Sequence, residues 1–244
     1  MKSSRPKAAA RKRRAGGTKR VRAGAMPSSP APEVAHLSQA ERAARALERD
    51  RGPRAIPIDR AFLEAALDVE STVRTLVAAL VPDFADWCFV DLVDGDGIPR
   101  RVAVAHAHPG GAPIAEEMRA IGFGPGWATP SAQAIRDRSP RVYRELTDDL
   151  MEWATHDGRH LAVLQAMRAR SLAAVPLVAR DRVIGAVTVI RSTMTPALDE
   201  QALLVVEELA APAALALDNA RRYEAERAAR SAAEERVRTL ERGR

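Results

Sequence analysis

Residues 171–192, SLAAVPLVARDRVIGAVTVIRS, constrain the fold more than any other stretch of the chain. Two apolar, β-branched runs, 172–178 and 183–190, flank the charged segment Ala179-Arg180-Asp181-Arg182, the pattern of a β-hairpin. Pro176 cannot donate to a ladder, which places it at a bulge or an edge. Gly185 removes a side chain where another element must come close. Taken alone, this hairpin is an ordinary antiparallel pair, and its partners along the chain make it specific.

Those partners can be read in order. Residues 59–80 carry Phe62, Leu63, Leu67, Val73, Leu76 and Leu80 at helical spacing, with Asp68 as an internal cap and Pro82 as the stop. Residues 86–93 alternate, with Cys88, Val90 and Leu92 on one face and Trp87, Phe89, Asp91 and Val93 on the other. Asp94-Gly95-Asp96-Gly97 then turns the chain into a returning strand, 100–108, that places Val102, Val104, His106 and His108 on one side. Residues 109–170 form a variable insert. Helices are expected at 113–121, from the Thr129-Pro130 cap onward, after the Thr147 cap, and at 159–168. A short strand is expected at 141–146 and a loop at GFGPGW, 122–127. From Asp199 a single helix runs almost to Arg244, close to 65 Å long, with Pro212 expected to kink it.

This order of elements resembles a GAF domain, the ligand-sensing module of bacterial sensor kinases, phosphatases and cyclases. The likeness is carried by LVPDFADWCFVDLVDGDG (80–97), RRVAVAHAHP (100–109), SLAAVPLVARDRVIGAVTV (171–189) and LALDNARRYEAE (215–226), and covers roughly residues 60–226. It implies an α+β fold: a central antiparallel sheet flanked by helices, with a long C-terminal helix. It also implies a pocket between sheet and insert, lined by Phe89, Val104, His106, Phe123, Trp127, Trp153 and Leu164. The ligand implied is a small molecule of unknown identity, and the same side chains could instead fill a packed core. In GAF sensor proteins the last helix leads into an output domain; here it ends at Arg244, so a module without its own output domain is expected. The reading is then of a non-catalytic bacterial signal-transduction module. A scaffold or adaptor with a packed core, and a remnant of a sensor histidine kinase or phosphatase, are the alternatives.

Charge divides the chain. The formal charge is +6, but ten of the 38 basic residues precede the first acid, Glu33, leaving 28 bases against 32 acids in the remainder. Four segments follow: a disordered basic tail, 1–33; a short helix and linker, 34–58, with Ser38 and Glu41 as a capping box; the sensory domain, 59–220; and a signalling or coiled-coil helix, 221–244. The tail could bind nucleic acid by counterion release, and the domain offers no recognition element beside it. Met26 is an alternative start to Met1. Apolar residues are 46% of the chain but no run approaches the ~20 residues of a membrane span, and a cytoplasmic protein is expected.

Catalysis has few candidates. The single cysteine, Cys88, excludes an internal disulfide and reads as a buried core thiol. His156 and His160 are four apart, but Asp157-Gly158 between them reads as a helix start rather than a metal site; His106 and His108 share a strand face. The acids of the DGDG turn lack the further ligands of a calcium loop. No phosphate loop or nucleophile elbow is present, and no cofactor can be named. A parallel homodimer is expected through the terminal helix, with Leu217, Ala220, Val237 and Leu240 as a thin seam, and the partner is a sensor kinase or other output protein.

Overall fold

The structure, a computed structural model, describes residues 62, 68–95, 97–123 and 129–242; of Val237 and Glu241 it describes the backbone alone. The expectations for the basic tail, the 34–58 helix and linker, and Trp127 lie outside these residues. The elements are α1 (Val69–Leu80), β1 (Trp87–Val93), β2 (Pro99–His106), α2 (Ala112–Ala120), α3 (Pro130–Asp137), β3 (Arg141–Tyr143), α4 (Asp148–Ala154), α5 (Gly158–Ala166), β4 (Ala169–Ala179), β5 (Arg182–Ser192) and α6 (Glu200–Arg242). Side-chain caps start the helices where the sequence places them. Asp68 accepts from Ser71 N, Thr129 from Ala132 N, Thr147 from Leu150 N and Asp157 from His160 N, each satisfying a first-turn donor.

The five strands form one antiparallel sheet in the order β2-β1-β5-β4-β3. Its two faces are covered differently. Cys88, Val90 and Leu92 of β1 join Leu76 and Leu80 of α1 and Val206, Ala213 and Leu217 of α6 in one core. Trp87 and Phe89 join Met118, Leu164 and Ile190 in a second core beneath the insert helices. The alternation in residues 86–93 therefore sorts β1 between two cores, since successive side chains in a strand point to opposite faces.

The β4–β5 hairpin is tighter than its four charged residues suggest. Ala179 pairs with Arg182, so the loop is Arg180-Asp181 alone, and both residues have positive φ, 46° and 64°. This is the left-handed pair that a two-residue hairpin turn needs. Arg180 is a costly residue in that conformation, and its guanidinium is held by Asp218 and Asn219 of α6. Pro176 lies beyond the reach of β3, which pairs only with residues 172–174, so β4 has one neighbour there and a ladder bulge follows at Leu177/Val178. A Cβ at Gly185 would lie 2.2 Å from the carbonyl oxygen of Asp91, which explains the glycine.

β2 departs from simple alternation. The pairing runs Val90↔Ala103 and then Asp91↔Arg101, so Val102 is an extra, bulged residue. Val102 is 43% exposed rather than aligned with Val104, and Arg101 takes the inward place opposite Asp91. The strand also ends at His106, so His108 does not share a strand face with it and instead lies just before a short 3-10 turn, Pro109–Gly111.

α6 leaves the domain through a collar of polar contacts. Asp218, 4% exposed, receives Arg180 and lies 3.5 Å from Arg182. Arg221 donates to Val93 O at 2.7 Å and Asp94 Oδ1 at 3.1 Å, and Glu224 accepts from Val69 N at 3.2 Å. Both hairpin turns and the start of α1 thus hold the same two turns of helix. Leu217 and Ala220, expected in an intermolecular seam, are fully buried in their own domain. The helical period turns them inward; Leu240, also expected in the seam, is exposed, as are Leu215 and Tyr223.

Candidate functional site

A small cavity, about 40 Å³, lies between the sheet and the insert helices. Phe89, Thr188 and Ile190 come from the sheet, Met118 from α2, Thr129 and Ser131 from the start of α3, and His160 and Leu164 from α5. Arg101 closes one side. Wider grooves, about 580 Å³ beside Arg221 and about 250 Å³ beside His108, are open at the surface. The small cavity is the candidate site because it alone of the three is lined by a buried guanidinium.

Arg101 Nε lies 2.9 Å from Asp91 Oδ1 and Nη2 lies 3.4 Å from Oδ2, with side chains 7% and 0% exposed. Nη1 donates to Met118 O at 3.3 Å and to its Sδ at 2.9 Å. The guanidinium also lies over the Phe89 and Phe123 rings, 4.8 and 5.2 Å from their centroids. Two buried charges cost several kcal/mol each to desolvate, and this geometry offsets that cost through pairing, hydrogen bonding and cation–π contact.

Across the cavity stands a chain of polar groups that begins at the surface. Asp157 caps α5 with Oδ1, and its Oδ2 lies 3.2 Å from His156 Nε2. His156 Nδ1 meets His160 Nδ1 at 3.0 Å. His160 is 6% exposed, and burial, with the nearby charges of His156 and Arg101, lowers its pKa to about 4. The backbone N–H of His160 holds the Asp157 carboxyl below the ordinary range. Thr129 and Ser131 hydroxyls lie 3.3 Å apart, while Thr188 Oγ1, also buried, has no hydrogen-bond partner.

Of the residues the resemblance placed in a pocket, Phe89 and Leu164 line this cavity. Val104 pairs with Phe89 on the same sheet face, and Phe123 packs against Arg101. His106 lies farther along β2 opposite Trp87, its ring 5.5 Å from that of Trp87 and its Nδ1 buried without a partner. Trp153, on α4, does not reach the cavity; its neighbours Met151 and Ala154 do. Arg101, Thr129, Ser131, His160 and Thr188 line the cavity without being among the residues the resemblance placed there, and Asp91 stands behind Arg101. Asp91 was the available signal, a carboxylate on the same strand face as Trp87 and Phe89. His156 and His160 come together although Asp157 does start a helix, because His156 precedes the cap and His160 occupies the third helical position. Cys88 is fully buried, and burial raises its thiol pKa, as a core thiol requires.

The domain is thus an antiparallel sheet with the insert helices over a small, mostly apolar cavity on one face and a long terminal helix on the other. The chain belongs to the GAF domain family, whose model matches residues 66–218. GAF domains are sensory signalling modules, generally regulatory rather than catalytic. Among solved structures, the GAF domain/HD domain protein from Geobacter sulfurreducens is similar at 19% identity and TM-score 0.50, over 63% of this chain and 95% of that one. Residues 122 to 287 of a methyl-accepting chemotaxis protein match at 14% identity and TM-score 0.50, over 67% and 96%. The GAF-B domain of DevS from Mycobacterium smegmatis is 22% identical with TM-score 0.48, over 65% and 99%. At these identities the likeness is one of fold. No curated protein matches the sequence. Among the described residues, no helix is long and apolar enough to cross a membrane, and no three His, Cys, Asp or Glu side chains cluster to hold a metal ion.

Proposed function

We propose that the protein is a GAF-type signal-transduction module that binds a small molecule in the cavity under its insert and relays the bound state through α6 to an output partner. The observation that carries this reading is the continuity of β1. Asp91 pairs with Arg101 at the cavity, and two and three residues on, Val93 and Asp94 hold Arg221 of α6. A ligand that shifts Arg101 acts on Asp91, and the rigid strand carries that shift to the collar where α6 leaves the domain. The exposed Leu215, Tyr223 and Leu240 fit a helix that meets a second copy or an output protein, such as a sensor kinase. A second reading, an adaptor with a packed core, draws on the small volume of the cavity. Native mass spectrometry of the full chain separates the two. A reproducible small-molecule adduct on the folded protein, released on denaturation, supports the sensor; only bare protein masses, from cells grown under varied conditions, favour the adaptor.

A further inference from the structure

The polar groups of the cavity select for a particular kind of ligand, an argument that rests on the sensor reading above. In alkaline buffer, where an imidazole carries a single proton, the proton assignments in the Asp157–His156–His160 chain follow from one another. His156 Nε2 lies 3.2 Å from a carboxylate oxygen that can only accept, so Nε2 carries the proton. His156 Nδ1 is then a lone pair, and the contact at 3.0 Å requires His160 Nδ1 to donate. His160 Nε2 is left as a lone pair, and it is the nitrogen that ring can offer to the cavity it lines. Burial, which disfavours the imidazolium, keeps the ring in this neutral form.

Thr188 supplies an independent observation. It is 3% exposed and lines the same cavity, yet its hydroxyl has no partner. A buried hydroxyl left unpaired costs about 1–3 kcal/mol, so its proton calls for an acceptor inside the cavity. Charge is already balanced there, because Arg101 and Asp91 are each other's counter-ion and an added charge would be buried without one. By the measure that a single water needs ~10–15 Å³, the space of about 40 Å³ holds only a few non-hydrogen atoms.

We propose that the cavity binds a small neutral molecule carrying both an N–H or O–H donor, received by His160 Nε2, and an acceptor, engaged by the hydroxyl of Thr188. Acetamide, acetone and acetate are probes of nearly equal size. Acetamide has the donor and the acceptor, acetone lacks the donor and acetate adds a charge.

The test is ¹⁵N and methyl NMR on the full chain. The imidazole nitrogens of His160 should show Nδ1 protonated and Nε2 bare, and a protonated Nε2 would overturn the assignment. Acetamide should move the Thr188 methyl and His160 ring signals saturably, with acetone about ten-fold weaker, as the loss of one buried hydrogen bond implies; acetate should not move them. If acetone or acetate binds as well as acetamide, the cavity is a small-molecule site but the donor-and-acceptor rule is wrong. If none of the three moves these signals, the cavity holds water alone, and both the rule and its role as the ligand site fall. Thr188→Val keeps the shape and removes the unpaired hydroxyl, so it should fold at least as stably while binding acetamide about ten-fold more weakly. Unchanged affinity in that variant would remove Thr188 from the site.

Discussion

Arg101 Nε lies 2.9 Å from Asp91 Oδ1, a pair buried in the sheet and opposed across a β-bulge. The bulge makes the pair possible. Without the extra residue at Val102, strict alternation would send Arg101 to the other face of β2 and leave Asp91 uncompensated. Removing one partner leaves a buried unpaired charge, so Arg101→Met should cost about 3–5 kcal/mol in denaturant unfolding. The double variant Asp91→Leu/Arg101→Met should recover most of that loss. Equal destabilisation in the single and double variants would show that packing rather than charge dominates at this site.

Much of the frame is legible in the sequence because its signals are local. Asp68, Thr129, Thr147 and Asp157 are caps that report only on the next turn of helix, and all four act as caps in the structure. The periodicity of residues 86–93 sorts β1 correctly between two cores. The site is less legible because it depends on long-range register. Nothing local to residues 100–106 marks Val102 as the bulged residue, and so Arg101 stays hidden behind Val102. The same holds for Leu217, whose apolar character suits a core and an intermolecular seam equally until the path of α6 over the sheet is known.

Gly185 tests the closeness of β5 to β1. An added Cβ would meet the backbone oxygen of Asp91 at 2.2 Å and Leu92 Cδ2 at 2.9 Å, and a backbone atom in mid-sheet cannot rotate away. Gly185→Ala should therefore lower unfolding stability by about 3 kcal/mol, the upper range for overpacking. Gly95→Ala, with open space around its Cβ, is the control and should change stability by less than about 1 kcal/mol. Equal effects at the two positions would mean that the strands separate more readily than this register implies.

His160 should make stability depend on pH in a defined window. Its pKa is lowered from 6.5 to about 4, with Asp157 alone among the named neighbouring charges favouring the imidazolium. Between those values the unfolded chain binds a proton that the folded one refuses, so stability falls as pH drops from 6.5 toward 4 and levels off below. Asp86 has its carboxyl held low by Ser192 and Thr195 against the opposing effect of burial, so its contribution is lost only below about 3.8. Unfolding measured across pH 3–7 should thus show two separate phases. His160→Gln should flatten the upper one and spare the lower, and an unchanged upper phase would assign it to another histidine.

The collar predicts how α6 is held. Arg221 ties the helix to the β1–β2 turn, and Asp218 ties it to the β4–β5 turn through Arg180. Arg221→Ala should speed amide exchange in residues 221–242 roughly tenfold, the effect of losing about 1.4 kcal/mol of local stability. Residues 200–214, packed into the core, should be unaffected. If exchange rises equally along the whole helix, α6 opens as one unit and the collar is no hinge point.

The last prediction concerns what covers the projecting half of α6. At 100° per residue, Leu215, Ala233 and Leu240 fall within about 20° of one another, a thin stripe that Arg222 and Glu226 interrupt along a helix about 65 Å long. Leu215 is 48% exposed and Leu240 74%, while Leu217, two residues from Leu215, is fully buried. A second copy in parallel register would cover that stripe, and Arg230 with Glu234, paired at 3.0 Å, would lie outside it. Leu215→Glu should then turn a dimer into monomers in sedimentation while leaving the thermal transition of the domain in place, because the substituted side chain already faces solvent. Leu217→Glu should instead unfold the domain, since it places a charge in the core shared by α1, α6 and β1. Unmutated protein that sediments as a monomer at tens of micromolar would assign the stripe to an output partner rather than to a second copy of this chain.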